Sequence, residues 1–154
     1  MSIFSGTFDI LEYCKMTSII ERKDKLVSEF KALDDKDDRM RALILKGRSL
    51  EMPENLKLDQ FLVKGCISRA WLVPQLKDGK IYFLADSEAM IVKGIIAALV
   101  EVYSGSTPEE VLELKPDFLV EVGIEDHLSM NRRNGLANIS KLIQFYAEKA
   151  KGAE

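Results

Sequence analysis

Apolar positions first fall into register after residue 17. Ile19, Ile20, Leu26, Val27, Phe30 and Leu33 form one stripe at helical spacing, interrupted only at Lys23, over about four turns of helix. The acidic run 34–38 breaks that stripe and caps a second helix carrying Met40, Leu43, Ile44 and Leu50, which ends before Pro53. The two predict a helical hairpin. Residues 52–63 read as a connector whose last positions run as a short edge strand into Gly65. The period then shortens: 67–76 and 80–85 read as strands joined by Lys77-Asp78-Gly79. A type I′ hairpin turn needs positive φ at both central positions, which Asp-Gly supplies. Pro74 lacks a ladder donor and marks an edge or a bulge, while Trp71 reads as a core anchor.

Residues 88–103 are apolar nearly all round, the pattern of a helix buried on most sides, with Ser87 as its expected N-cap. Gly94 inside it costs about 1 kcal/mol against Ala, which a close approach of sheet or loop backbone would explain. Thr107-Pro108-Glu109-Glu110 is a capping box with proline in the first helical position, so a short helix follows to about Leu114. Phe118, Leu119 and Val122 mark a second short segment stopped at Gly123. In the last helix Leu136, Ile139, Ile143, Tyr146 and Ala150 recur at three and four. The expected class is α+β, a small antiparallel sheet of about three strands packed against helices. Residues 1–17 show no clear period and read as an N-terminal extension to a single domain, 18–154.

At 154 residues the chain can bury a core without disulfide or metal staples. Its net charge of -3, with basic residues scattered, leaves no stripe for a phosphate backbone and argues against a nucleic-acid partner. With neither a signal-type start nor an apolar run long enough to span a bilayer, the expected location is cytoplasmic, with no membrane partner. There Cys14 and Cys66 are expected to be reduced thiols. One histidine, His127, and no Cys-x-x-C or His-x-x-x-His spacing leave too few soft ligands for zinc, and neither metal nor cofactor is expected.

The candidate chemistry centres on Cys66, beside Gly65 at the mouth of the first strand. Lys64 and Arg69 are nearby cations that favour a nucleophilic thiolate. A free cysteine is equally at home as a small buried hydrophobe, and the residues alone leave both readings open. Cys14 reads as a bystander. Arg132 and Arg133 read equally as a solvated helix start, Asp86 as a cap and His127 as a hydrogen-bonded structural residue.

Three stretches bear on that choice. Lys64-Gly65-Cys66-Ile67-Ser68-Arg69-Ala70-Trp71 resembles the G-C-x-S-x-[VA]-W motif of the SufE/CsdE sulfur-acceptor proteins. Asp86-Ser87-Glu88-Ala89-Met90-Ile91-Val92-Lys93-Gly94 is similar to that family's D-S-[DE]-A-x-I-V-K-G run, and His127-Leu128-Ser129-Met130-Asn131-Arg132-Arg133-Asn134-Gly135-Leu136 resembles its H-L-[ST]-P-x-R-x-x-G-L run. Met130 stands where the family pattern has proline, and residues 1–17 have no counterpart. The resemblance implies a SufE-like fold, similar to iron-sulfur scaffold folds of the same class. It implies a carrier that receives persulfide sulfur from a PLP-dependent cysteine desulfurase of SufS or CsdA type, stimulates that enzyme, and passes the sulfur to a SufBCD-like scaffold. Such a protein is a sulfurtransferase-like accessory and not a stand-alone enzyme. Monomer and weak homodimer both stay open.

Carried over to this chain, Cys66 is the acceptor, Gly65, Ser68, Asp86, Glu88 and Arg132 meet the partner, and His127 matches the family histidine. A persulfide left in water is open to reduction and oxidation, so Cys66 is expected to be mostly buried between Val63 and Ile67. The rivals are a cysteine hydrolase or thiol transferase using Cys66 and His127, and a non-catalytic interaction module.

Overall fold

Local chemistry accounts for most of the element starts. In the computed structural model, described for residues 18–66, 68–124 and 128–152, α1 (Ile19–Lys31) opens on a reciprocal capping box. The Ser18 hydroxyl accepts from the Glu21 N–H at 3.1 Å, and the Glu21 carboxylate accepts from the Ser18 N–H at 2.9 Å. Helix α2 (Lys36–Gly47) is capped by Asp35, whose carboxylate accepts from the Asp37 N–H. The expected hairpin does not close tightly: α1 and α2 meet at the Lys46–Glu29 ion pair, 3.4 Å, but α1 packs mainly on the helices over Met90–Tyr103 and Phe118–Val122, and α2 on the first of these. Nor does the break in the α1 stripe at Lys23 prove the notable one. Arg22, 1% exposed, is inside, its guanidinium donating to the Val102 carbonyl and to the Ser106 hydroxyl.

Strands β1 (Ala70–Lys77) and β2 (Lys80–Ser87) pair antiparallel from Ala70↔Ser87 to Lys77↔Lys80, and Asp78 and Gly79 turn between them at φ 53 and φ 77. Among the described residues the sheet has two strands where about three were expected. Single-turn 3₁₀ segments at Glu54–Leu56 and Asp59–Phe61 consume the connector, and what is left of the edge strand is one bridge, Leu62↔Trp71. Both strands are therefore edges, where Pro74 is tolerated. One sheet face, with Leu72, Ile81, Phe83 and Ala85, lies in the core, and β2 packs on α3 (Met90–Tyr103).

Helix α3 begins later than expected, and Ser87 is not its N-cap. The cap is Ala89, while Ser87 ends β2, its hydroxyl donating to the Arg69 carbonyl at 3.0 Å and accepting from the Ala89 N–H. Gly94 does meet a backbone closely, but the backbone is that of α2, neither sheet nor loop. Helix α4 (Pro108–Glu113) carries the expected box between Thr107 and Glu110, and α5 (Phe118–Val122) stops at left-handed Gly123. Helix α6 (Met130–Ala150) is capped by Ser129 and packs on α3 and α4. Among the described residues no helix is long and apolar enough to cross a membrane.

Candidate functional site

The stretch before β1 is a loop with fastened ends. The Val63 N–H donates to the Ala70 carbonyl at 2.8 Å, and the Leu62↔Trp71 bridge lies just outside it, so the segment carrying Lys64, Gly65, Cys66, Ser68 and Arg69 is pinched off from the sheet. At its far end the Arg69 carbonyl accepts from the Ser87 hydroxyl and the Glu88 N–H, and the Arg69 guanidinium grips the Glu88 carboxylate at 2.6 Å. Gly65 turns the near end at φ 84. A rigid frame thus presents Cys66.

The Cys66 sulfur rests against α6: a Cβ added at Gly135 would lie 3.1 Å from it. It faces a cavity of about 320 Å³ whose walls include Ser68, Val92, Ser129, Asn131 and Arg132. Cys66 is half-buried, less shielded than expected. Burial alone pushes its thiol above the usual range, which reverses the expected bias toward thiolate. Lys64 points into solvent, and Arg69 spends its charge on Glu88. A larger cavity, about 430 Å³ between Leu50, Tyr82, Leu84 and Val100, is lined by no cysteine or histidine among the described residues.

Of the predicted site residues, Cys66, Ser68 and Arg132 share the small cavity, and Gly65 adjoins it on the loop. Arg132 is exposed and has no ion pair among the described residues. Glu88 is exposed and held by Arg69. Asp86 lies behind them, its carboxylate taken by Lys57 at 2.8 Å and Lys93 at 3.1 Å, with the Ser87 N–H also donating to it. Lys57 and Arg69 both approach the ring of Trp71, 5.5 and 5.3 Å from its centroid, so the buried indole carries a charged lid. His127 and Cys14 lie outside the described residues. Sequence reasoning passed over Val92, Ser129 and the α6 positions 135 and 138. Gly135, a glycine inside a helix, was the available signal.

Burial pushes the Asp86 carboxyl up, but the hydrogen bonds from Lys57, the Ser87 N–H and Lys93 together outweigh it, and the net shift is down. A lowered folded-state pKa contributes stability that is fully present above the ordinary carboxylate value and is lost as pH falls through the folded value. Asp86→Asn, which takes the carboxylate from Lys93 and leaves Lys57 with Glu54 alone, is expected to cost about 1 kcal/mol at pH 7. Urea unfolding at descending pH checks this: the gap between the two proteins should narrow only in acid.

The fold and the site define a small α+β protein that offers one half-buried cysteine from a pinned loop. Residues 24–147 match the family model described as SufE: Fe-S metabolism associated domain, and the chain belongs to the SufE family. It is 38% identical over 124 residues to a SufE-like protein of Synechocystis sp., covering 80% of this chain and 78% of that one. To the Escherichia coli sulfur acceptor protein CsdE it is 34% identical over 123 residues, covering 78% and 84%. The solution structure of a hypothetical protein from Thermus thermophilus superposes with a TM-score of 0.71 at 25% identity, over 84% of this chain and 95% of that one.

Proposed function

We propose that this protein takes sulfane sulfur onto Cys66 from the persulfide of a PLP-dependent cysteine desulfurase of SufS or CsdA type, and thereby speeds that enzyme's turnover. It then delivers the sulfur to a SufBCD-like iron-sulfur scaffold. The observation that carries the reading is the placement of Cys66 on a loop pinned at both ends and facing a cavity that also holds Arg132. Kinship with a protein named a sulfur acceptor supports it.

The step is thiol exchange at sulfur. The Cys66 thiolate attacks the outer sulfur of the desulfurase persulfide, a new S–S bond forms, and the bond to the desulfurase cysteine breaks. The electron pair leaves with that cysteine as thiolate, which takes up the proton Cys66 gave up, so nothing is oxidised or reduced overall. Arg132 supplies a cation beside the incoming anion. Gly65, Ser68 and Glu88 lie on the face that meets the desulfurase, and Asp86 braces that face from behind. Because the seated thiol is held protonated by burial, docking has to free it.

Incubation with a cysteine desulfurase and L-cysteine, followed by intact mass, tests the reading. One reductant-labile sulfur atom should be gained and map to Cys66. No gain, or a gain only at Cys14, would overturn it.

A further inference from the structure

We propose that Asn138 and Gly135, on one face of α6, form the seat on which the Cys66 loop closes, and that Asn138 sets how readily the loop leaves it. Residues three apart on a helix are surface neighbours, and these two receive consecutive loop residues. Gly65 lies so close beneath the Asn138 amide that an added Cβ would run into its Nδ2, and Cys66 sulfur lies over Gly135. Gly65 is at φ 84, a left-handed conformation that presents the bare Cα of a glycine to α6. With Val63 and Arg69 fastened to the sheet, the contact with α6 is what distinguishes a seated loop from a released one.

The contact with Asn138 is one of packing. Among the described residues its side chain makes no hydrogen bond, yet it is half-buried, and the amide covers the one loop position that has no side chain of its own. In the seated state the sulfur is held in partly desolvated surroundings against the helix, which suppresses the thiolate. In the released state it regains water. Asn138 is thus a positioning residue acting through Gly65 on Cys66. The biological weight of this rests on the sulfur-acceptor reading, since release is then the step that docking drives; the seat itself does not.

The test reads the thiol directly, without a desulfurase. In full-length protein carrying Cys14→Ser, the rate at which iodoacetamide alkylates Cys66 is followed across pH. Asn138→Ala, a substitution favoured in a helix, removes the cover over Gly65. Alkylation at pH 7 should rise about fivefold, the equivalent of ~1 kcal/mol of lost closure, and the pH midpoint should move down toward that of an ordinary thiol. Asn138→Leu has the same branching without the amide and should restore slow alkylation. Gly135→Ala pushes on the sulfur from the helix side and should also speed the reaction. Asn134→Ala, an exposed position one turn earlier on α6, should change nothing. An unchanged rate and midpoint in Asn138→Ala would overturn the seat, as would an equal rise in Asn134→Ala or a failure of Asn138→Leu to rescue. Faster alkylation in a protein that accepts no sulfur would leave the seat standing and remove the acceptor reading instead.

Discussion

Cys66→Ser is expected to abolish sulfur acceptance outright while leaving the fold in place. The exchange replaces sulfur by oxygen in a half-buried position with room beside it, so the cost in stability should be about 1 kcal/mol or less. The chemical cost is total. A serine hydroxyl has no anionic form near neutral pH and cannot close an S–S bond, whereas thiolate attack on sulfur is the whole of the proposed step. Intact mass after incubation with desulfurase and L-cysteine should show no added sulfur, and stimulation of the desulfurase should disappear, while the thermal midpoint stays close to that of the parent. A serine variant that still stimulated the enzyme fully would sink the carrier mechanism and favour a pure interaction module. The same comparison separates Cys66 from Cys14, because a sulfur still gained by the variant would have to sit on the N-terminal thiol.

The elements readable from sequence are those whose cause is local. The Thr107 capping box and the Asp78-Gly79 hairpin depend on residues within a few positions of each other, and both form as expected; the box at Ser18 is just as local, but the stripe that follows does not reveal it. Errors arise where a distant partner decides. Ser87 has the chemistry of an N-cap, yet its pairing with distant Ala70 holds it in β2, and the N–H its hydroxyl accepts from is that of Ala89, ahead of the helix. The supposed third strand fails because 3₁₀ turns shorten the connector to a single bridge. Arg22 is buried because two acceptors from the end of α3 and the turn after it reach the guanidinium, a coincidence no periodicity encodes. At the site, the motif resemblance marked Cys66, Ser68 and Arg132, which share one cavity. It could not supply the sign of the thiol's shift. Lys64 and Arg69 are neighbours of Cys66 in sequence, but one faces water and the other is committed to Glu88, which leaves desolvation to decide.

Gly94→Ala is expected to be strongly destabilising, although it adds a single methyl group. By propensity alone it should help, since alanine in a helix interior is favoured over glycine by about 1 kcal/mol. The crossing of α2 over α3 reverses the sign. A Cβ at Gly94 would collide with the carbonyl group of Leu43, and a Cβ at Gly47 would come within 2.9 Å of the Gly94 nitrogen, so the two helices meet backbone to backbone at paired glycines. Backbone cannot rotate aside as a side chain can. Leu43 is fully buried, and Lys46 of α2 is tied to Glu101 of α3 at 2.8 Å, so relief requires α2 to lift away along its length. Forcing an extra methyl into such a contact costs 1–3 kcal/mol in ordinary cores, and here the upper end applies, about 3 kcal/mol net. That should lower the thermal midpoint by about 10 °C for a chain of this size. The urea midpoint should fall with an unchanged slope, since the unfolded state gains nothing. Gly152→Ala, with nothing within 4 Å of the added methyl, is the matching control and should be neutral. If Gly94→Ala were as stable as the parent, α2 and α3 would have to cross farther apart than described. The support that α3 gives to β2 and to Val92 in the wall of the Cys66 cavity would then have to come from elsewhere.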